Sequence, residues 1–160
     1  MAVPRILAVA AATGRVGCVY LVGGRIKDWR VSRKAAQSPR DAAEQTQKWI
    51  NRLKPEVVVT EKVEEAAKKG EKTKEIVRAV ARTAEHNYVL DVSVAREHDF
   101  ANKYEEAAAL AKRHPEIAAW VPKKRRFFDT EPRNTVLFEA LSLAEAVMRG
   151  GPTRLGAAMG

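Results

Sequence analysis

Between Ile6 and Gly14 the chain reads ILAVAAATG, a stretch that admits few structures. The run is too short to span a bilayer, and small residues ending on a glycine favour a buried strand that turns sharply where it ends. Cys18-Val19-Tyr20-Leu21-Val22 follows as a second apolar strand, and Gly23-Gly24 supplies a two-residue turn. Glycine suits that turn because it takes positive φ without a Cβ clash. Arg25 to Val31, with Ile26, Trp29 and Val31 as its apolar residues, completes an antiparallel meander. Arg5 ahead of ILAVAAA faintly imitates a secretory signal, but the run passes straight into the hairpin, so a structural strand is expected.

Ser38-Pro39-Arg40-Asp41 opens a helix: serine can cap it, proline suits the first position, and aspartate complements the dipole. Ala42, Ala43, Thr46, Trp49, Ile50 and Leu53 recur at helical spacing, and Pro55 stops the helix. Glu56-Val57-Val58-Val59-Thr60 is too short for a helix and reads as a fourth strand buried on both faces, ending at Glu61. The right-handed crossover rule sets it parallel to the first strand. A charged connection runs from Lys62 to Gly70, and a helix is expected from about Thr73 to Ala84. Tyr88 to Val94 forms a fifth strand, Ala101 to His114 an alanine-rich helix ended by Pro115, and Trp120 to Phe128 a basic, aromatic loop. Glu131-Pro132 starts a last helix with a broad apolar stripe, and Gly150-Gly151-Pro152 ends it. The expected architecture is α/β: a five-stranded mixed sheet, three strands in a meander plus two parallel ones, flanked by helices. Residues 1–149 form a single domain on this reading and 150–160 a flexible tail.

Charge narrows the function classes. Twenty-nine Lys and Arg against twenty Asp and Glu give a formal net charge of +9. That balance suits a polyanionic partner or a negatively charged membrane surface, and plain solubility is the competing reading. No run approaches the roughly 20 apolar residues of a membrane span. Cys18 is the sole cysteine; within an apolar strand it reads as a small core residue, and a lone thiol fits a reducing cytoplasm.

Glu61 is the most informative polar residue. It stands where a buried strand runs out at the carboxyl edge of the sheet, the edge at which open α/β sheets place their sites. The competing reading makes it the first solvated loop residue beside Glu64 and Glu65. Glu139 lies at the margin of the last helix's apolar stripe, where its head either turns to a cleft or snorkels to water. Lys123, Lys124, Arg125 and Arg126 followed by Phe127 and Phe128 pair phosphate-attracting charge with rings able to stack on bases. Lys68, Lys69, Lys72 and Lys74 form a second basic segment near Glu61. His86, His98 and His114 are too scattered for a local zinc motif.

ILAVAAATGRVG, PEVVVTEKV and FEALSLAEA, in this order and across nearly the whole length, resemble the signature regions of RuvC-like Holliday-junction resolvases, members of the RNase H-like superfamily. The resemblance implies an RNase H-like fold, a nucleic-acid partner, DNA in particular, and Mg²⁺ or Mn²⁺ held by about four carboxylates for phosphodiester hydrolysis. It places two of those acids on Glu61 and Glu139. It also places the strand-one aspartate on Ala10 and the first acid of the helical pair on Val136, neither of which binds metal. Three explanations stand: a relative that kept the fold and lost hydrolysis, an endonuclease that recruits Asp91, Asp129 or Glu131, or an alanine introduced at position 10. A non-enzymatic scaffold that dimerises through its last helices is a further class. Ala12-Thr13-Gly14 also resembles the phosphate loop of actin-like ATPases, but those need a second domain that this chain is too short to hold.

Overall fold

β1 (Arg5–Ala12) is buried along nearly its whole length because helices cover the sheet on both faces. The computed structural model describes residues 4–66, 69–96, 103–122 and 134–149. β1 pairs antiparallel with β2 (Arg15–Val22), which pairs antiparallel with β3 (Arg25–Ser32). On its other side β1 runs parallel to β4 (Val57–Glu61), and β4 runs parallel to β5 (Leu90–Val94). The sheet order is β3-β2-β1-β4-β5. This is the expected mixed sheet, with α1 (Pro39–Leu53) connecting β3 to β4.

Side-chain alternation along the strands builds two cores. Ile6, Ala8 and Ala10, with Val19, Leu21, Val57 and Val59, face α4 (Thr135–Arg149) and α3 (Lys103–Arg113). Leu7, Val9 and Ala11, with Cys18 and Val58, face α1 and α2 (Glu71–His86). α4 explains the breadth of its apolar stripe: twelve of its fifteen residues are buried. Burial drives the Cys18 thiol far above its ordinary range, as expected of an inert core residue. Among the described residues, no helix is long and apolar enough to cross a membrane.

Local chemistry sets the boundaries. The Asp41 backbone N–H donates to Ser38 Oγ at 3.0 Å, capping α1 as anticipated. α2 runs from Glu71 to His86, two residues longer at each end than its periodicity suggests. β5 begins at Leu90 rather than Tyr88, because Tyr88 takes φ +58° and its N–H donates to Glu85 O at 3.0 Å. Tyr88 thus finishes the helix instead of starting the strand. Pro115 does not lead directly into a loop but begins a 3-10 turn through Trp120, and Val63–Glu65 forms another in the charged connection. The start of the last helix at Glu131-Pro132, the loop 123–128 and the tail 150–160 lie outside the described residues.

Candidate functional site at the carboxyl end of the sheet

β1 and β4 run parallel in the register Ile6↔Val57, Leu7↔Val58, Ala8↔Val59. Carried two residues further, that register sets Ala10 level with Glu61, and alternation turns both toward α4. Ala10 is 4% exposed and belongs to the same apolar cluster as Val136. Its partner across the hairpin is Gly17. A Cβ built on Gly17 would lie 2.8 Å from Val136 Cγ1 and 3.2 Å from the Val136 carbonyl carbon and oxygen. The first turn of α4 therefore rests on the backbone of β2, and a glycine in mid-strand is what permits that approach.

Beside this apolar contact lies a buried cluster of charge. Glu61 ends β4 at 8% exposure, Glu139 projects from α4 at 9%, and Glu106 from α3 at 7%. Lys69 donates from Nζ to the Ala11 carbonyl at 2.7 Å and to Glu139 Oε2 at 3.4 Å. Arg96, just beyond β5, places Nη2 2.5 Å from Glu106 Oε1 and Nη1 3.9 Å from Glu139 Oε1. Burial works against the Arg96 charge, but the fields of Glu139, Glu106 and Glu61 outweigh it and raise its pKa above the ordinary arginine value. Among these five described side chains, three acids surround two cations. The attractions are internal, between elements distant in sequence.

Asp91 belongs to the opposite face. It pairs with Val58 in the ladder, and Thr60 Oγ1 donates to its Oδ1 at 3.1 Å. Burial pushes the Asp91 carboxyl up from its usual range, with Glu85 adding to the shift against the hydrogen bonds from Thr60 and Ser93. Thr60, Asp91 and Ser93 line an open cleft of about 270 Å³ together with Glu61, Glu85, Arg78 and Arg82. A further polar knot ties α3 to α4: Arg113 reaches both Glu145 oxygens, at 2.6 Å for its closest nitrogen, and His114 Nε2 lies 2.8 Å from Glu145 Oε2. Against the upward push of burial, the hydrogen bonds from His114 and Arg113 hold the Glu145 carboxyl down at about 2.

This topology has counterparts among solved structures. RuvC from Thermus thermophilus in complex with a Holliday junction substrate superposes with a TM-score of 0.64 at 17% identity, covering 96% of each chain. A second Thermus thermophilus RuvC structure gives 0.61 at 15% identity, over 91% of this chain and 96% of that one. The yeast mitochondrial Holliday junction resolvase gives 0.51 at 13% identity, over 96% of this chain and 81% of that one. The fold is RuvC-like. No protein-family model matches the chain, and no curated protein matches it in sequence.

Glu61 and Glu139 both act electrostatically on Arg96. Ala10 and Val136 belong to one apolar cluster, Val136 lying against Gly17, the cross-strand neighbour of Ala10. Glu139 does not snorkel to water; its carboxylate is held by Lys69 and Arg96. Lys69, read from sequence as a phosphate contact, is turned inward with its side chain 15% exposed. Lys72 is exposed, and Lys74 lies 3.8 Å from Glu71. Lys68, Lys123, Lys124, Arg125, Arg126, Phe127 and Phe128 lie outside the described residues, as do Asp129 and Glu131. Arg96, Glu106 and Gly17 escaped the sequence reading. For Gly17 the signal was present, a glycine in the middle of an otherwise continuous apolar strand.

Proposed function

We propose that this RuvC-like chain binds structured or branched nucleic acid, DNA in particular, and does not cut it by a two-metal route. Its fold is shared with a RuvC structure determined on a Holliday junction substrate, and its net charge of +9 favours a polyanion. The observation that carries the second half is the contact of Val136 with Gly17, the cross-strand neighbour of Ala10. Where the resemblance calls for two acids there is close apolar packing, and a divalent ion needs oxygen ligands. Among the described residues no group of three His, Cys, Asp or Glu is arranged to hold a metal ion. The Mg²⁺ or Mn²⁺ that the resemblance implies does not fit the described residues, and no hydrolytic step is assigned to Glu61 or Glu139. Asp91 and Glu61 line one cleft, but among the described residues no third ligand joins them in a metal-holding group.

On this reading the exposed Lys72 joins the 123–128 sequence in gripping phosphates. The test is a titration of a labelled four-way junction and a matched duplex in EDTA over a salt series. For six to ten phosphate contacts, affinity should fall on the order of 10³-fold or more between about 50 and 200 mM salt. Lys72→Ala should lower the log–log slope by about one. Affinity indifferent to salt, or no binding to either DNA, would overturn the proposal.

A further inference from the structure

At the edge of a RuvC-like sheet the buried carboxylates require cations, and in this chain the cations are side chains. Lys69 arrives from the connection after β4 and Arg96 from the residues after β5, and both converge on Glu139 of α4. Arg96 reaches on to Glu106 of α3. The four side chains are between 9% and 16% exposed. Carboxylates so far removed from water are tolerated only when paired. A divalent ion entering here would need oxygen ligands at about 2.0–2.6 Å. It would meet an ammonium already within 3.4 Å of one Glu139 oxygen and a guanidinium beside the other. Like charge at that range excludes it.

We infer that Lys69 and Arg96 take the electrostatic place of divalent cations, so that Glu139 and Glu106 are neutralised from within and the protein is indifferent to divalent metal. The two side chains also act as latches. Each fastens a connection following a parallel strand to the closing helix, a task a diffusible ion would otherwise perform. The inference uses the RuvC-like reading to say which positions call for cations. Its test contains no nucleic acid, so it can fail while the binding proposal stands, and the reverse.

Thermal melts of the full chain in EDTA, Mg²⁺ and Mn²⁺ provide that test. The parent should melt at one temperature, within about 1 °C, in all three. A rise of several degrees in Mn²⁺ would overturn the inference, because a ligand that binds only the folded state raises the melting temperature. The variant Lys69→Met/Arg96→Met should melt lower in EDTA and recover by several degrees in Mn²⁺. Arg96→Gln carries the same expectation should the double variant not fold. A variant that folds yet gains nothing from Mn²⁺ would show that the cations hold no such place, and overturns the inference. Water-proton relaxation of Mn²⁺ solutions gives an independent reading on the parent. No enhancement is expected, and an enhancement abolished by Glu139→Gln would be fatal.

Discussion

Replacing Gly17 by alanine puts one methyl group into the contact that sets the character of the candidate site. The new Cβ would sit 2.8 Å from Val136 Cγ1, roughly half an ångström inside ordinary van der Waals contact, and 3.2 Å from the carbonyl carbon and oxygen of the same residue. Rotation of Val136 moves its Cγ1 but leaves the carbonyl where it is. Relief therefore requires the start of α4 to lift from β2, loosening a helix buried over most of its surface. Overpacking of this kind costs about 1–3 kcal/mol. For a chain of this size, a loss of about 2 kcal/mol lowers the melting temperature by roughly 4–8 °C. Chemical denaturation measures the same quantity as a shift in midpoint at constant m. Val136→Ala removes the worst contact but keeps the carbonyl, so in that background the cost of Gly17→Ala should shrink by about 1 kcal/mol, a coupling typical of touching residues. If Gly17→Ala melts within about a degree of the parent, α4 does not rest on β2 as described. The argument that apolar packing fills this corner would then fail with it.

Glu145 gives a pH-dependent expectation. Its folded pKa of about 2 lies below the ordinary 4.5, so its contribution is complete above about 4.5 and is lost as pH falls toward 2. Arg113 is half exposed, so water screens part of the attraction and the contribution is on the order of 2 kcal/mol. Glu145→Gln should lower neutral-pH stability by about that amount and flatten the acid limb of a stability–pH curve; an unchanged limb would contradict the assignment. Asp91 runs the other way. Its raised folded pKa means that the unfolded chain ionises first, so its cost is absent in acid and grows as pH rises through the ordinary carboxyl range. Asp91→Asn keeps an oxygen for Thr60 and should raise the melting temperature more at about pH 8 than at about pH 3. Destabilisation at the higher pH would refute this.

The parts of this fold legible in the sequence are those written in apolar periodicity. ILAVAAA, VVV and the stripe of α4 all became core. Tyr88 went astray because an apolar-looking side chain beside a strand says nothing of backbone φ, and its left-handed cap is fixed by hydrogen bonds to α2. Glu61 and Glu139 were visible because each interrupts or borders an apolar run. Glu106 and Arg96 were not, since an acid in an alanine-rich helix and an arginine after a strand look like any solvated charges. Only tertiary packing, which brings α3 over α4, reveals that they are buried against one another. Lys69 was noticed for its charge but assigned outward, because its inward turn depends on the Ala11 carbonyl at the end of β1.

The account rests on the claim that this RuvC-like site holds nucleic acid without hydrolysing it. The most direct measurement incubates a labelled four-way junction with the protein in Mg²⁺ or Mn²⁺, then resolves the strands on a denaturing gel beside a native gel of the same samples. Shifted junction with intact strands is expected from the parent. The same is expected from Ala10→Asp, because one restored acid leaves Val136, Lys69 and Arg96 in place. Strand cleavage by the parent that disappears on Glu61→Gln or Glu139→Gln would contradict the claim outright.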